Sequence, residues 1–205
     1  MFEVEKKFKL NSQETERLIE GAQFLGERIF TDLYFDTDEF ALSKNDIWLR
    51  KRGEQFQLKL PVQLEGKKLA DQYQEIDGQE KIREIFAIPQ IADFEKDIEK
   101  FGYGIFCDCT TTRKKYQKKD FIIDVDEIVY ESEDKQDFSY KIIEIELVVE
   151  NQAEILLASE KIQNFAKEHK LTPAQNRGKV IEYLFQKRPK HFEALVEAGV
   201  VEVAF

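Results

Sequence analysis

Residues 1–10 read MFEVEKKFKL, and within them Glu3-Val4-Glu5-Lys6-Lys7 sets charged side chains at every second position around one small apolar residue. Alternate residues of a β-strand share a face. Glu3, Glu5 and Lys7 therefore point one way, while Phe2 and Val4 point the other. The fold turns on whether the charged face meets water or the inside of a closed sheet.

The same phase returns in five later segments. In WLRKR (48–52), Trp48, Arg50 and Arg52 align, with Leu49 opposite. In FQLKLP (56–61), Gln57 and Lys59 oppose Phe56, Leu58 and Leu60. Arg113 and Lys115 align in TTRKKY (111–116), and Asp124 and Asp126 oppose Ile123 and Val125 in FIIDVDEI (121–128). In KIIEIELVV (141–149), Glu144 and Glu146 oppose Ile143, Ile145 and Leu147. A half-solvated open sheet accounts for any one such strand. It accounts poorly for the set, because most of the pairs carry a single sign, and like charges opposed across strands repel.

Closing the sheet into a barrel places the charges inside and the apolar faces outside, under helices. A dry, unpaired charged interior would be prohibitively costly, so such a lumen has to be wet and filled by a highly charged ligand. Carboxylates collect hard divalent cations such as Mg²⁺ or Mn²⁺, and arginines grip phosphate oxygens bidentately. The combination describes a site for a polyphosphate–metal complex.

Strands are expected at Phe2–Leu10, Asp32–Asp36, Ile47–Lys51, Gln55–Pro61, Tyr73–Ile76, Phe106–Lys118, Phe121–Glu131 and Tyr140–Glu150, and the polar stretch Val62–Gln74 reads mainly as a loop. Helices are expected at Ser12–Phe24 with Ser12 as its cap, at Gln79–Phe86, Asp93–Phe101, Ala153–His169 and Gly178–Gln186, and from Pro189 onward. No repeat or Gly/Ser linker divides the chain, so residues 1–205 are expected to form a single antiparallel α+β domain.

With 42% hydrophobic residues and 17 Phe there is ample material for a core. No run of about 18 apolar residues occurs, so no transmembrane helix is expected. The N-terminus lacks a basic-then-apolar leader, which points to the cytoplasm. A net charge of −10 argues against nonspecific nucleic-acid binding. Cys107 and Cys109 share a strand face at roughly 7 Å, near the upper limit for a disulfide, and are expected as buried reduced thiols. The two histidines, His169 and His191, lie in the helical tail, away from the charged strands. Histidine acid–base or zinc chemistry is therefore not expected, and no nucleophile elbow is present.

The ordered set of Glu3-x-Glu5-x-Lys7, TDLYFDTDEFAL (31–42), WLRKR, LKLP (58–61), the EIE at 144–146 and GKVIEYL (178–184) resembles the CYTH superfamily, the triphosphate tunnel metalloenzymes. The tail KRPKHFEALVEAGV (187–200) is similar to the end of its thiamine triphosphatase subgroup. The resemblance implies a closed antiparallel eight-stranded β-barrel with a charged lumen and helices packed outside. It implies metal binding by Glu3, Glu5, Glu144 and Glu146 with Asp124 and Asp126, and triphosphate binding by Lys7, Arg50, Arg52, Arg113 and Lys179. Lys59 and Tyr34 would activate the attacking water, and Trp48 would lie against the thiamine portion. The implied partner is a small-molecule triphosphate, with no nucleic acid or membrane, in a monomer or dimer.

Within the family, tripolyphosphate or nucleoside triphosphate hydrolysis and class IV adenylate cyclase activity are the alternatives. A noncatalytic polyphosphate-binding module is a fourth reading. The polar interval YESEDKQDFSYK (130–141) leaves open which of Asp124 and Asp126 faces the metal. A base role for Lys59 requires a pKa well below about 10.4; neighbouring arginines would push it down and carboxylates would oppose them. On the plainer readings Trp48 fills space, Tyr34 packs and Lys179 is solvated.

Overall fold

The computed structural model describes residues 2–64, 67–131, 138–171 and 177–201. Its strands are β1 (Phe2–Phe8), β2 (Gln23–Asp36), β3 (Trp48–Arg52), β4 (Gln55–Leu64), β5 (Lys67–Asp77), β6 (Gly104–Lys118), β7 (Phe121–Tyr130) and β8 (Phe138–Val149). The helices are α1 (Ser12–Ile19), α2 (Gln79–Phe86), α3 (Phe94–Lys100), α4 (Ile155–Glu168), α5 (Lys179–Lys187) and α6 (Pro189–Glu197). The strands close on themselves in the order β1-β5-β4-β3-β2-β6-β7-β8, with every neighbouring pair antiparallel. The expected closed eight-stranded barrel is the observed one.

The apolar phase of the strands points outward and is covered by helices. Val4, Phe8, Ile123, Ile143 and Ile145 pack against Ile155, Ala158, Ile162, Phe165 and Ala166 of α4. Those five α4 positions recur at helical spacing, which is why that segment winds as a helix and turns one stripe inward. Full burial of one such aliphatic or aromatic side chain is worth roughly 1.5–3 kcal/mol. On another side Phe35, Leu49, Phe56 and Leu58 pack under Ile82 of α2 and Phe94 and Ile98 of α3.

At one end the inner face itself changes character. Cys107, Cys109, Ile128, Tyr130, Tyr140 and Ile142 continue the phase of the charged positions, yet they form an apolar cluster with Val180, Tyr183 and Leu184 of α5 and with Phe192 and Leu195 of α6. The C-terminal helices therefore pack into the barrel end rather than around its wall. Both cysteines are free and buried.

Three local expectations need correction. Helix α1 ends at Ile19 rather than Phe24: Gly21 adopts φ +71°, and the chain turns directly into β2, whose 14 residues far exceed the expected five. The cap is Asn11, not Ser12; Asn11 Oδ1 accepts from Glu14 N at 2.9 Å and Asn11 N donates to Glu14 at 2.9 Å. Most of the expected loop Val62–Gln74 is strand, with Gln63 opposite Lys68 and Leu64 opposite Lys67. That extension is carried by backbone pairing, without the apolar alternation that would announce it. No helix among the described residues is long and apolar enough to cross a membrane.

Candidate functional site

The first group in the lumen is a carboxylate trio. Glu3 and Glu5 from β1 and Glu146 from β8 bring ligand oxygens within 4.8 Å of one another, because Glu5 stands directly opposite Glu146 in the β1–β8 register. Like charges so placed repel, and cations surround them. Lys59 Nζ lies 2.7 Å from Glu3, 3.0 Å from Glu75 and 3.9 Å from Glu5. Lys7 donates to Glu5, and Lys115 Nζ sits 3.1 Å from both Glu146 and Asp124.

The neutralisation is uneven. For Glu5, burial would raise the pKa, but Lys59 and Lys7 outweigh it and hold the carboxyl at about 2. For Glu146, burial together with Asp124 and Glu3 pushes it up to about 8. Three hard oxygen donors this close together, one of them short of compensating cations, fit a divalent cation.

The second group is organised by Arg113. Its Nε and Nη2 donate to Asp126 at 2.7 and 2.6 Å, its Nη2 also donates to Glu144 at 2.9 Å, and its Nη1 donates to Asp124. The choice left open between Asp124 and Asp126 thus has a different answer: both face the lumen, and both are drawn to Arg113. Neither they nor Glu144 belong to the tight trio.

The third group centres on Asp32, a residue of β2 with 0% exposure. Arg52 grips it bidentately at 2.7 and 2.9 Å, and Lys179 from α5 donates to the same carboxylate. Burial would raise the Asp32 carboxyl, but these cations hold it well below the usual range. Phe30, two residues earlier, lies 3.9 Å from the Arg52 guanidinium carbon and 5.5 Å from Lys179 Nζ. Beside this group Arg50 Nε donates to Gln57 at 2.9 Å and approaches Glu75 at 3.5 Å.

The Lys179 side chain is largely shielded rather than solvated, because the start of α5 and the two residues before it are pinned into the barrel end. The Tyr130 and Tyr140 hydroxyls donate to the carbonyls of Lys179 at 2.7 Å and of Arg177 at 2.8 Å. Gly178 packs on Lys7, where a Cβ would come within 3.2 Å of Lys7 Cε. Trp48 donates through Nε1 to Asp46 Oδ1 at 2.9 Å, and the Tyr73 hydroxyl donates to the same oxygen at 3.0 Å. The indole lies at the edge of the α5–α6 cluster, partly buried.

The balance at Lys59 runs against a base role. Burial would lower its pKa, but Glu5 and Glu3 outweigh that and raise it, so the ammonium form is favoured. Tyr34 is buried, and desolvation raises its phenol pKa as well. Both predicted activators resist losing a proton in this site.

All fourteen predicted site residues line one barrel interior or its edge. Asp32, Glu75, Lys115, Phe30, Asp46 and Tyr73 were not anticipated. Lys115 shares the phase of Arg113, and Asp32 shares the phase of Tyr34 within TDLYFD, so those two were within reach of the alternation argument. Glu75 and Tyr73 sat in the segment read as a short strand beside a loop.

A family model described as CYTH domain matches residues 1–176, which stops short of Lys179. Thiamine-triphosphatases of Homo sapiens and Macaca fascicularis are each 28% identical to this chain over 220 residues, covering 97% of it and 91% of their own length. Among solved structures, the PH1819 protein from Pyrococcus horikoshii OT3 is similar with a TM-score of 0.59 and 25% identity, over 91% of this chain and 99% of that one.

Proposed function

The chain belongs to the CYTH domain family, and from that premise we propose that it is a metal-dependent triphosphate phosphohydrolase acting on thiamine triphosphate. The observation that carries the reading is the shared lumen: a trio of oxygen donors within 4.8 Å of each other stands among buried and half-buried cations from β1, β3, β6 and α5. Thiamine as the organic part is supported by the named relatives and by the indole of Trp48 beside the cationic groups.

In this proposal Glu3, Glu5 and Glu146 hold the divalent cation, whose chemistry is to neutralise phosphate charge and orient the chain of phosphates. Lys7, Arg50, Arg52, Arg113 and Lys179 bind the remaining oxygens. Asp124, Asp126 and Glu144 hold Arg113 in place, and Lys59 acts as a charged donor rather than a base. Water attacks the terminal phosphorus, the bond to the bridging oxygen breaks, and thiamine diphosphate leaves. The water proton passes to a phosphate oxygen or solvent. A loose phosphoryl-transfer transition state asks for positioning and charge neutralisation more than for a strong base, which suits a site whose Lys59 and Tyr34 keep their protons.

Phosphate release from thiamine triphosphate, tripolyphosphate and ATP, each with Mg²⁺ or Mn²⁺, tests the reading. Thiamine triphosphate is expected to turn over with the highest kcat/KM. Faster tripolyphosphate hydrolysis would instead assign an inorganic tripolyphosphatase, and cyclic AMP from ATP a cyclase. No reaction with any of them would leave a binding module.

A further inference from the structure

We propose that Asp32 is a positioning residue: it fixes Arg52 of β3 and Lys179 of α5 as one cation pair on the inner wall of the barrel and so sets the catalytic geometry. The inference rests on the triphosphate reading above and adds to it a residue that carries the wrong charge for phosphate binding. An acidic group beside phosphate-binding cations weakens anion attraction. Its presence therefore calls for a role other than affinity.

The geometry supplies one. Asp32 is fully buried, and its partners come from elements that share no strand pairing with each other: Arg52 stands opposite it in the β2–β3 register, and Lys179 begins α5. A flexible lysine and arginine lose side-chain freedom when held. Here the loss is taken in the resting site, before any ligand arrives. Phe30 forms a floor beneath both cations, while the Tyr130 hydroxyl fixes the Lys179 backbone at 2.7 Å. Arg52 is thus held at two points and Lys179 at three, which favours one placement of each cation. The same carboxylate ties α5 to the barrel, so one ionic contact couples closure of the barrel end to the placement of a phosphate ligand.

The test is Asp32→Asn, Lys179→Gln and the double variant, with tripolyphosphate as probe. Asp32→Asn is expected to bind tripolyphosphate within about threefold of the parent, because one repelling charge has gone. Its kcat is expected to fall about 10- to 100-fold, the scale of a small misplacement of binding groups. In the Lys179→Gln background, Asp32→Asn is expected to cost much less than in the parent, since residues acting as a unit are not additive. The double variant also removes one uncompensated cation, so it reports where the single variant folds poorly. Hydrogen exchange of the α5 amides, expected to quicken in Asp32→Asn, reads the same contact without any ligand.

A parent-like kcat in folded Asp32→Asn, or full additivity in the cycle, overturns the proposal. So does a loss of activity that only tracks the unfolded fraction, with α5 protection unchanged. If the parent protein neither binds nor hydrolyses tripolyphosphate or thiamine triphosphate while α5 exchange still quickens, the triphosphate reading fails and the ionic tie stands.

Discussion

Replacing Arg113 with Met, which keeps the length and removes the charge, probes an ion-pair network in which one cation serves three carboxylates. In the native site one guanidinium serves Asp124, Asp126 and Glu144, two of them almost fully buried. Without it, carboxylates on adjacent strands face each other in register, Asp124 directly opposite Glu144, and only Lys115 remains close to Asp124 at 3.1 Å. Breaking one buried pair by removing a partner costs about 3–5 kcal/mol, since the charge left behind is uncompensated.

For a chain of this length that is a fall in Tm of about 6–20 °C, at roughly 2–4 °C per kcal/mol. The loss has a defined pH dependence. Burial already pushes Asp124 and Asp126 upward, and removing Arg113 raises them further above their unfolded values. The folded variant then binds more protons than the unfolded chain, so its stability is fully present below the carboxylate range and is lost as pH rises through the raised values. Thermal melts of variant and parent at pH 8 and pH 5 check this. The gap between the two should be widest at pH 8 and at least halve at pH 5. Millimolar Mn²⁺ should restore more stability to the variant than to the parent, because three carboxylates that have lost their shared guanidinium make a cation site. A gap below about 3 °C at pH 8, or one that does not move with pH, would refute the reasoning.

Burial pushes His191 down to about 4, with its Nε2 2.7 Å from Ser43 Oγ and its ring stacked on Phe40 at 3.8 Å. The contribution is present above about pH 6.5 and lost as pH falls toward 4, by about 3 kcal/mol at most; urea unfolding of His191→Gln should show a flatter profile over that window, and an identical one would exclude the histidine. Glu146→Gln is expected to raise the Mn²⁺ concentration for half-maximal turnover at least about tenfold, with chelation by EDTA abolishing turnover in the parent; an unchanged titration removes Glu146 from the cation site. Trp48→Ala should raise KM for thiamine triphosphate about tenfold, the worth of one desolvated cation–π contact, while KM for tripolyphosphate stays within about twofold; equal effects would assign Trp48 to packing.

What could be read from the sequence was whatever the period of two encodes. Glu3, Glu5, Arg50, Asp126 and Glu146 each sit next to an outward Val, Leu or Ile, so their inward direction followed from closing the sheet; Arg113, flanked by Thr112 and Lys114, followed only from sharing its phase with Lys115. The pairing of Gln63 and Leu64 with Lys68 and Lys67 and the first half of β2 were hidden because their strand character comes from backbone pairing and not from alternation. Partition within the lumen was also illegible. Whether a given carboxylate joins the trio or Arg113 depends on register between strands far apart in sequence, as with Lys115 reaching both Asp124 and Glu146. The protonation of Lys59 was undecidable for the same reason, since Glu75, one of its nearest partners at 3.0 Å, arrives from β5.

The docking of α5 into the barrel end bears on how the protein is made. All eight strands lie within residues 2–149, and β1 meets β8 as soon as the latter has been synthesised. A nascent chain can therefore close its sheet while Lys179 is still in the ribosome, since folding during synthesis proceeds from the N-terminus. At that moment Asp32 would hold Arg52 alone, and Cys107, Tyr130 and Ile142 would lack their cover. Competence for catalysis would come only with the last helices, as a final step of maturation after the architecture is already complete.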